Sequence, residues 1–100
     1  MKFVVLFEDN PNLSSDIRKK HMPEHLKFLT ENASKVEAAG PLNHGDGSGA
    51  GGIWVVDAAD EAAVTQLIET DPFWPTGLRK STQILRWTQV FSNGKALVGW

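Results

Sequence analysis

The stretch RKKHMPEHLKFL, residues 18–29, has the periodicity of an amphipathic helix, and the rest of the chain is organised around it. At about 100° per residue, the apolar arc of this helix consists of Leu26, Phe28, Leu29 and Ala33. His25 falls inside the same arc. A buried imidazole is costly unless a polar group partners it, so the sequence predicts a buried partner for His25.

Proline is comfortable only in the first turn of a helix. Pro23 therefore places the start of this helix near Met22, preceded by a helical segment for which Ser14 or Ser15 would supply the N-cap. The helix is expected to end near residues 32–34.

A second helix is predicted at residues 61–70, after the capping residues 57–60. Asp71 follows Leu67 by four positions and Ile68 by three, so it continues the buried stripe of this helix. Pro72 ends the helix there. Asp71 is therefore the partner that the sequence offers His25.

Four stretches lack helical spacing and are rich in β-branched, aromatic or aliphatic residues, which is typical of strands: 2–8, 35–42, 53–56 and 81–91. The glycine-rich stretch NHGDGSGAGG, residues 43–52, is interpreted as a flexible hairpin loop. Its alternative role is a lid whose backbone amides and His44 reach a ligand. It lacks the lysine of a P-loop and does not lead into a helix.

The order β-α-β-β-α-β predicts an α+β, ferredoxin-like fold, a four-stranded antiparallel sheet with both helices on one face. Antiparallel helices would bring His25 and Asp71 to the same end, near the glycine-rich loop and residues 73–74. The other face of the sheet is also apolar. Because soluble monomers rarely expose such a face, we expect a symmetric homodimer formed through it.

Length and composition favour one domain over residues 1–100, in a cytoplasmic protein. The net charge of −2 and pI near 5.8 argue against nucleic acid as the partner. With no cysteine, the chain has neither a thiolate nucleophile nor cysteine-ligated zinc. The apolar start of the chain is too short to span a bilayer and ends in acids, so no membrane segment is expected.

A histidine oriented by a carboxylate is suited to proton transfer, and no nucleophile motif is present. The sequence therefore predicts an isomerase- or lyase-like enzyme that acts on a small carboxylate-bearing metabolite, with His25 and Asp71 as the catalytic pair and no cofactor. Arg18 would bind the substrate carboxylate. Arg79 is interpreted as a solvated surface arginine. Further candidate substrate-binding side chains are His21, His44 and Phe73.

Three alternatives stay open. His21 and His25 share a helix face at i, i+4 and could bind a metal together with Asp71 or His44. A non-catalytic dimer could use the same pocket to bind a small molecule. In a dimer without ligand, the His–Asp pair would only hold the two helices together. Phe73 is interpreted as a core or dimer contact, or else as part of an aromatic wall.

Several short motifs together resemble the YciI-like (YCII-related) family. They are Arg18, HMPEHL (21–26), AGPL (39–42), DPF (71–73), GL (77–78), RW (86–87) and VF (90–91). The resemblance implies a ferredoxin-like dimeric α+β barrel and a His–Asp active site, which would correspond to His25 and Asp71. The wider superfamily includes muconolactone isomerase, a dehydrochlorinase and haem-degrading monooxygenases. Residues 92–100 lie outside the pattern, and residues 95–100 are expected to pack on the partner subunit.

Overall fold

The computed structural model describes residues 1–11 and 14–97. The side chains of Ser14 and Ser15, expected above as helix caps, lie outside this description. So does the end of the tail, residues 98–100, which was expected to contact a partner subunit.

The helices and strands of the described residues follow the predicted order, with a short hairpin after the last long strand. They are β1 (Lys2–Asp9), α1 (Ser14–Glu31), β2 (Val36–Asn43), β3 (Gly49–Asp57), α2 (Glu61–Thr70), a 3₁₀ turn (Trp74–Thr76), β4 (Arg79–Arg86), β5 (Phe91–Ser92) and β6 (Lys95–Ala96).

Strands β1 to β4 form one antiparallel sheet in the order β2-β3-β1-β4. In the register, Val5 on β1 lies opposite Trp54 on β3 and Ile84 on β4. A ferredoxin-like fold has two helices, the β-α-β-β-α-β order and this strand order. The predicted fold class is therefore confirmed.

One face of the sheet carries the hydrophobic core. Alternate β1 residues point into it, so Val5 is buried whereas Val4 and Leu6 on the opposite face are half-buried. Both helices pack against this face and contribute side chains to the core. The buried core residues are Phe3, Val5, Phe7, Phe28, Val36, Trp54, Val56, Val64, Leu67 and Ile68. Among the described residues, no helix covers the opposite face, and Leu85 on it is 41% exposed.

Helix α1 differs from its prediction in two respects. It runs without interruption from Ser14, so Pro23 lies inside it rather than in its first turn. Pro23 and Lys19, whose carbonyl loses its donor, are both exposed, so the missing hydrogen bond lies on the solvent side. The buried stripe is also narrower than predicted, because Ala33 lies beyond the helix end and Leu26 is 54% exposed.

Half of the glycine-rich stretch is strand. Strand β3 begins at Gly49, so the turn of the hairpin covers only residues 44–48, and the prediction of a flexible loop over all of 43–52 is wrong. Gly51 and Gly52 are buried beside β1. Gly51 has a φ of +113°, and a Cβ atom there would overlap with the carbonyl oxygen of Phe7. Close approach of two strands therefore explains this glycine.

Gly51→Ala is expected to lower the free energy of unfolding by about 1–3 kcal/mol, because the new methyl group meets backbone atoms and the φ angle is strained. Gly45→Ala is the matched control, since no described residue apart from its two chain neighbours comes within 4 Å of the place that a Cβ atom would occupy there. Urea unfolding of both variants measures the difference. Equal stability of the two would contradict the close approach.

The last strand is shorter than predicted. Strand β4 covers Arg79–Arg86 rather than residues 81–91, because it pairs with β1, whose pairing ends where Arg86 lies opposite Phe3. Residues 91–96 form the separate β5-β6 hairpin. In the described part of the chain, neither helix has the length and apolar character that crossing a bilayer would require.

Candidate functional site

His25 and Asp71 meet in the interior of the protein. The His25 Nδ1 atom lies 2.9 Å from Asp71 Oδ1, and the two residues are only 8% and 1% exposed. His25 projects from the buried stripe of α1, and Asp71 is the C-cap residue of α2. The contact predicted from the two helical periodicities is therefore present in the structure.

Asp71 is held by further groups. Its own backbone N–H donates to the Ile68 carbonyl, which ends α2, and the backbone N–H of Phe73 donates to Oδ1 at 3.1 Å. The second oxygen, Oδ2, lies 2.8 Å from Nη2 of Arg79. This is ion-pair distance, and none of the described residues donates a hydrogen bond of good geometry to Oδ2.

The side chain of Arg79 is buried, and its interpretation as a solvated surface residue is wrong. Its side chain is 6% exposed, and its guanidinium carbon lies 3.9 Å from the centroid of the Phe7 ring and 5.1 Å from that of Trp54. A shift in the β1-β4 register places Arg79 opposite Asp9 at the end of β1. The charge of Asp71 and the aromatic faces compensate for the loss of hydration.

A sequence signal for Arg79 does exist. Arg79 follows the loop that leads from Asp71 into the last strand, and the predicted topology brings this loop to the same end as His25. Local pattern could not show that the side chain turns inward, because that depends on the register shift between Glu8 and Asp9.

The charges of the buried pair are set by opposing effects. Burial raises the pKa of Asp71, but the hydrogen bond from His25 and the positive charge of Arg79 outweigh it, so the pKa lies below the usual value. Burial lowers the pKa of Arg79, and the charge of Asp71 opposes this change. Since an arginine titrates far above neutrality, the site holds a carboxylate and a guanidinium cation.

The ionised state of Asp71 determines how His25 is protonated. A carboxylate only accepts hydrogen bonds, so the proton of the contact is assigned to His25 Nδ1. In the neutral ring, Nε2 then carries a lone pair. None of the described residues forms a hydrogen bond with Nε2, so this nitrogen is the one available to a ligand.

A cavity of about 120 Å³ lies between α1 and the sheet, beside this ring. Its volume is similar to that of cavities that take a single benzene ring. Its lining residues come from α1 and from all four strands of the sheet: Phe7, Arg18, Met22, His25, Leu26, Leu29, Ala39, Gly40, Pro41, Gly52, Trp54 and Arg79. The wall is thus largely apolar, with the polar groups of one histidine and two arginines.

Arg18 lies on this wall, as its predicted role requires. Its Nε and Nη2 atoms donate to Asp9 Oδ2 at 3.1 and 2.6 Å, and Nη2 also lies 3.3 Å from the Gly51 carbonyl oxygen. Asp9 therefore neutralises Arg18 and fixes its orientation.

The other predicted binding residues are placed differently. Phe73 is buried, and its ring centroid lies 4.4 Å from that of His25, so it supports the imidazole rather than lining the cavity. His21 is half-buried, with Nδ1 3.8 Å from a Glu24 carboxylate oxygen. His44 lies in the hairpin turn and lines a separate cleft. The structure brings neither His21 nor His44 to the cavity.

The two histidines that could share a metal ion contact separate groups. His21 and His25 face different carboxylates, Glu24 and Asp71. Within residues 1–11 and 14–97, no group of three or more His, Cys, Asp or Glu side chains is arranged to hold a metal ion.

The fold and site together define a small ferredoxin-like α+β protein with a buried histidine–aspartate pair beside a ring-sized cavity. The chain belongs to the YCII-related domain family, whose pattern matches residues 1–88. The family resemblance drawn from the sequence is thereby confirmed.

The solved structures that are similar to this chain include the following two. One is 5-chloro-2-hydroxyhydroquinone dehydrochlorinase (TftG) from Burkholderia phenoliruptrix AC1100, in complex with 2,5-dihydroxybenzoquinone. It is 27% identical, with a TM-score of 0.77 over 88% of this chain and 94% of the other. The second, from Bacteroides thetaiotaomicron VPI-5482, is described as a candidate antibiotic biosynthesis monooxygenase. It is 14% identical, with a TM-score of 0.57 over 95% and 93% of the two chains, which indicates a shared fold alone. None of the curated proteins matches the sequence significantly.

Proposed function

We propose that this protein is a small enzyme that performs general acid–base chemistry, an isomerisation or an elimination, on a small acidic metabolite. His25 transfers the proton, and Asp71 orients the imidazole and stabilises its charged form. The observation that carries the proposal is the buried hydrogen bond of 2.9 Å between His25 Nδ1 and Asp71 Oδ1, at the wall of a cavity.

The likeness to the dehydrochlorinase supports an elimination. In such a step, His25 Nε2 accepts a proton from the substrate. The electron pair released forms a new π bond, and the leaving group departs with its own bonding pair. No oxidant is required, and the imidazolium is neutralised when the proton leaves for solvent. Arg18 is proposed to bind the acidic group of the substrate from the cavity wall.

Two assays test this proposal. The first measures the release of chloride from 5-chloro-2-hydroxyhydroquinone, and the second measures the isomerisation of muconolactone. Turnover of either compound by the full chain would support the enzyme. Saturable binding without turnover across chlorinated hydroquinones and lactones would contradict it and favour the alternative, a non-catalytic module that binds small molecules.

We also propose a homodimer formed through the uncovered face of the sheet. Leu85, 41% exposed on this face, lies opposite Val4. Gel filtration with light scattering is expected to give twice the chain mass of 11.0 kDa, and Leu85→Asp is expected to give the monomer, because it would bury a charge in an apolar interface. Thr65→Asp, at an exposed position of α2, is the control. A monomeric wild type at micromolar concentration would contradict this arrangement.

A further inference from the structure

One buried donor of the site has no acceptor among residues 1–11 and 14–97. Nη1 of Arg79 is shielded from solvent, and none of the residues that the structure describes forms a hydrogen bond with it. A buried donor without an acceptor costs about 1–3 kcal/mol, and buried polar groups of this kind are uncommon. An acceptor supplied by a ligand would remove this cost.

The guanidinium is held in one position. Nη2 lies 2.8 Å from Asp71 Oδ2, and the guanidinium carbon lies 3.9 Å above the Phe7 ring. Because the guanidinium group is planar, these two contacts fix the direction of Nη1. Arg79 lines the same cavity as His25, so a preorganised donor accompanies the proton acceptor.

The charges around the cavity balance without a ligand. Asp71 is matched by Arg79 and Asp9 by Arg18, so these four groups sum to zero. A negative ligand oxygen therefore needs one further positive charge. A proton on His25 supplies it, and the imidazolium would then stand beside both the ligand and Asp71.

We infer that Arg79 Nη1 and His25 Nε2 form a subsite for an anionic oxygen carried by a single-ring ligand. This inference rests on the proposed function and narrows its substrate to ring compounds with an ionised oxygen. A hydroxyl group loses its proton to Nε2, so that the O–H bond breaks and an N–H bond forms, and Arg79 binds the resulting oxyanion. A carboxylate would enter already ionised. The proton on His25 would then come from solvent.

Equilibrium binding of three probes to the full chain tests this subsite. The probes are 4-nitrophenol, 4-nitrobenzoate and the neutral ether 4-nitroanisole. The anionic probes are expected to bind roughly 10- to 100-fold more tightly than the ether, the value of one hydrogen bond to a charged group. Bound 4-nitrophenol should show the colour of its phenolate below its solution pKa. Preference for the phenol or for the benzoate identifies the source of the oxyanion.

Arg79→Lys is the decisive variant, because an ammonium group can keep the ion pair with Asp71 but lacks the second planar nitrogen. It is expected to abolish the preference for anions, so that the two anionic probes bind no more tightly than 4-nitroanisole. Arg86→Lys, exposed at the other end of β4, is the matched control. If Arg79→Lys does not fold, Arg18→Lys decides, because Arg18 is the other arginine on the cavity wall. An anion preference that survives this change does not come from Arg18, whereas its loss would overturn the subsite.

The subsite would be overturned if the anions bind no better than the ether, if Arg79→Lys keeps the wild-type preference, or if none of the probes binds. These readouts need no turnover. Anion preference in a protein without elimination or isomerisation activity would therefore refute the proposed chemistry and leave the subsite intact.

Discussion

Replacing His25 with alanine is expected to lower kcat by roughly 10²- to 10⁴-fold, the contribution of a positioned general acid or base. His25 Nε2 is the nitrogen left free at the cavity once Nδ1 is bound to Asp71. No other described histidine lines the cavity, so no neighbouring imidazole can substitute. Steady-state kinetics with the chlorinated hydroquinone or the lactone measure the loss, and KM should change less than kcat.

Lys27→Ala, two residues further along the same helix and exposed, controls for a general effect on α1. Thermal unfolding of both variants separates lost chemistry from lost structure. A folded His25→Ala protein with wild-type kcat would remove His25 from the mechanism and favour a purely structural pair.

Asp71→Asn is expected to lower the free energy of unfolding by about 3 kcal/mol or more. The substitution leaves Arg79 as a buried cation without its anionic partner, and breaking buried pairs in this way is costly. Asparagine can still accept a hydrogen bond from His25, so the loss chiefly reports the missing charge. Urea unfolding near neutral pH measures it, with Glu69→Gln at an exposed position of α2 as the control.

The same variant should change the pH dependence of stability. Because the folded-state pKa of Asp71 is lowered from the usual 3.8, the unfolded chain takes up this proton first as the pH falls. The stability contributed by Asp71 is therefore fully present well above pH 3.8 and is lost as the pH falls through its folded pKa. Asp71→Asn should be less sensitive to acid in this range. An unchanged free energy of unfolding and an unchanged acid profile would contradict a stabilising role for the pair.

Local pattern predicted the elements whose periodicity is unambiguous. Helix α2 occupies Glu61–Thr70, the predicted residues, because a capping aspartate precedes a regular apolar stripe and a proline follows it. Strand β1 likewise starts at Lys2. The contact between His25 and Asp71 was predictable because each lies on a helical stripe and the topology makes the two helices antiparallel.

Elements that depend on a neighbouring strand were predicted less well. The buried glycines at 51 and 52 resembled a loop by composition, yet they pair with the neighbouring strands as part of β3. Position 51 is glycine because β1 passes too close for a side chain there. The end of β4 depends on where β1 stops. Pro23 was a doubtful helix residue by propensity, and its exposed position in a packed helix permits it.

The sequence by itself determined the order of the elements, the ferredoxin-like fold and the placing of a histidine and an aspartate on inward-facing stripes, because these follow from periods of two and 3.6 residues along one segment. Only the tertiary structure decided that Arg79 completes the pair, that Arg18 is bound by Asp9, and that His21 and His44 lie away from the cavity. The direction of these side chains depends on strand register and on neighbours distant in the chain, which no local pattern contains.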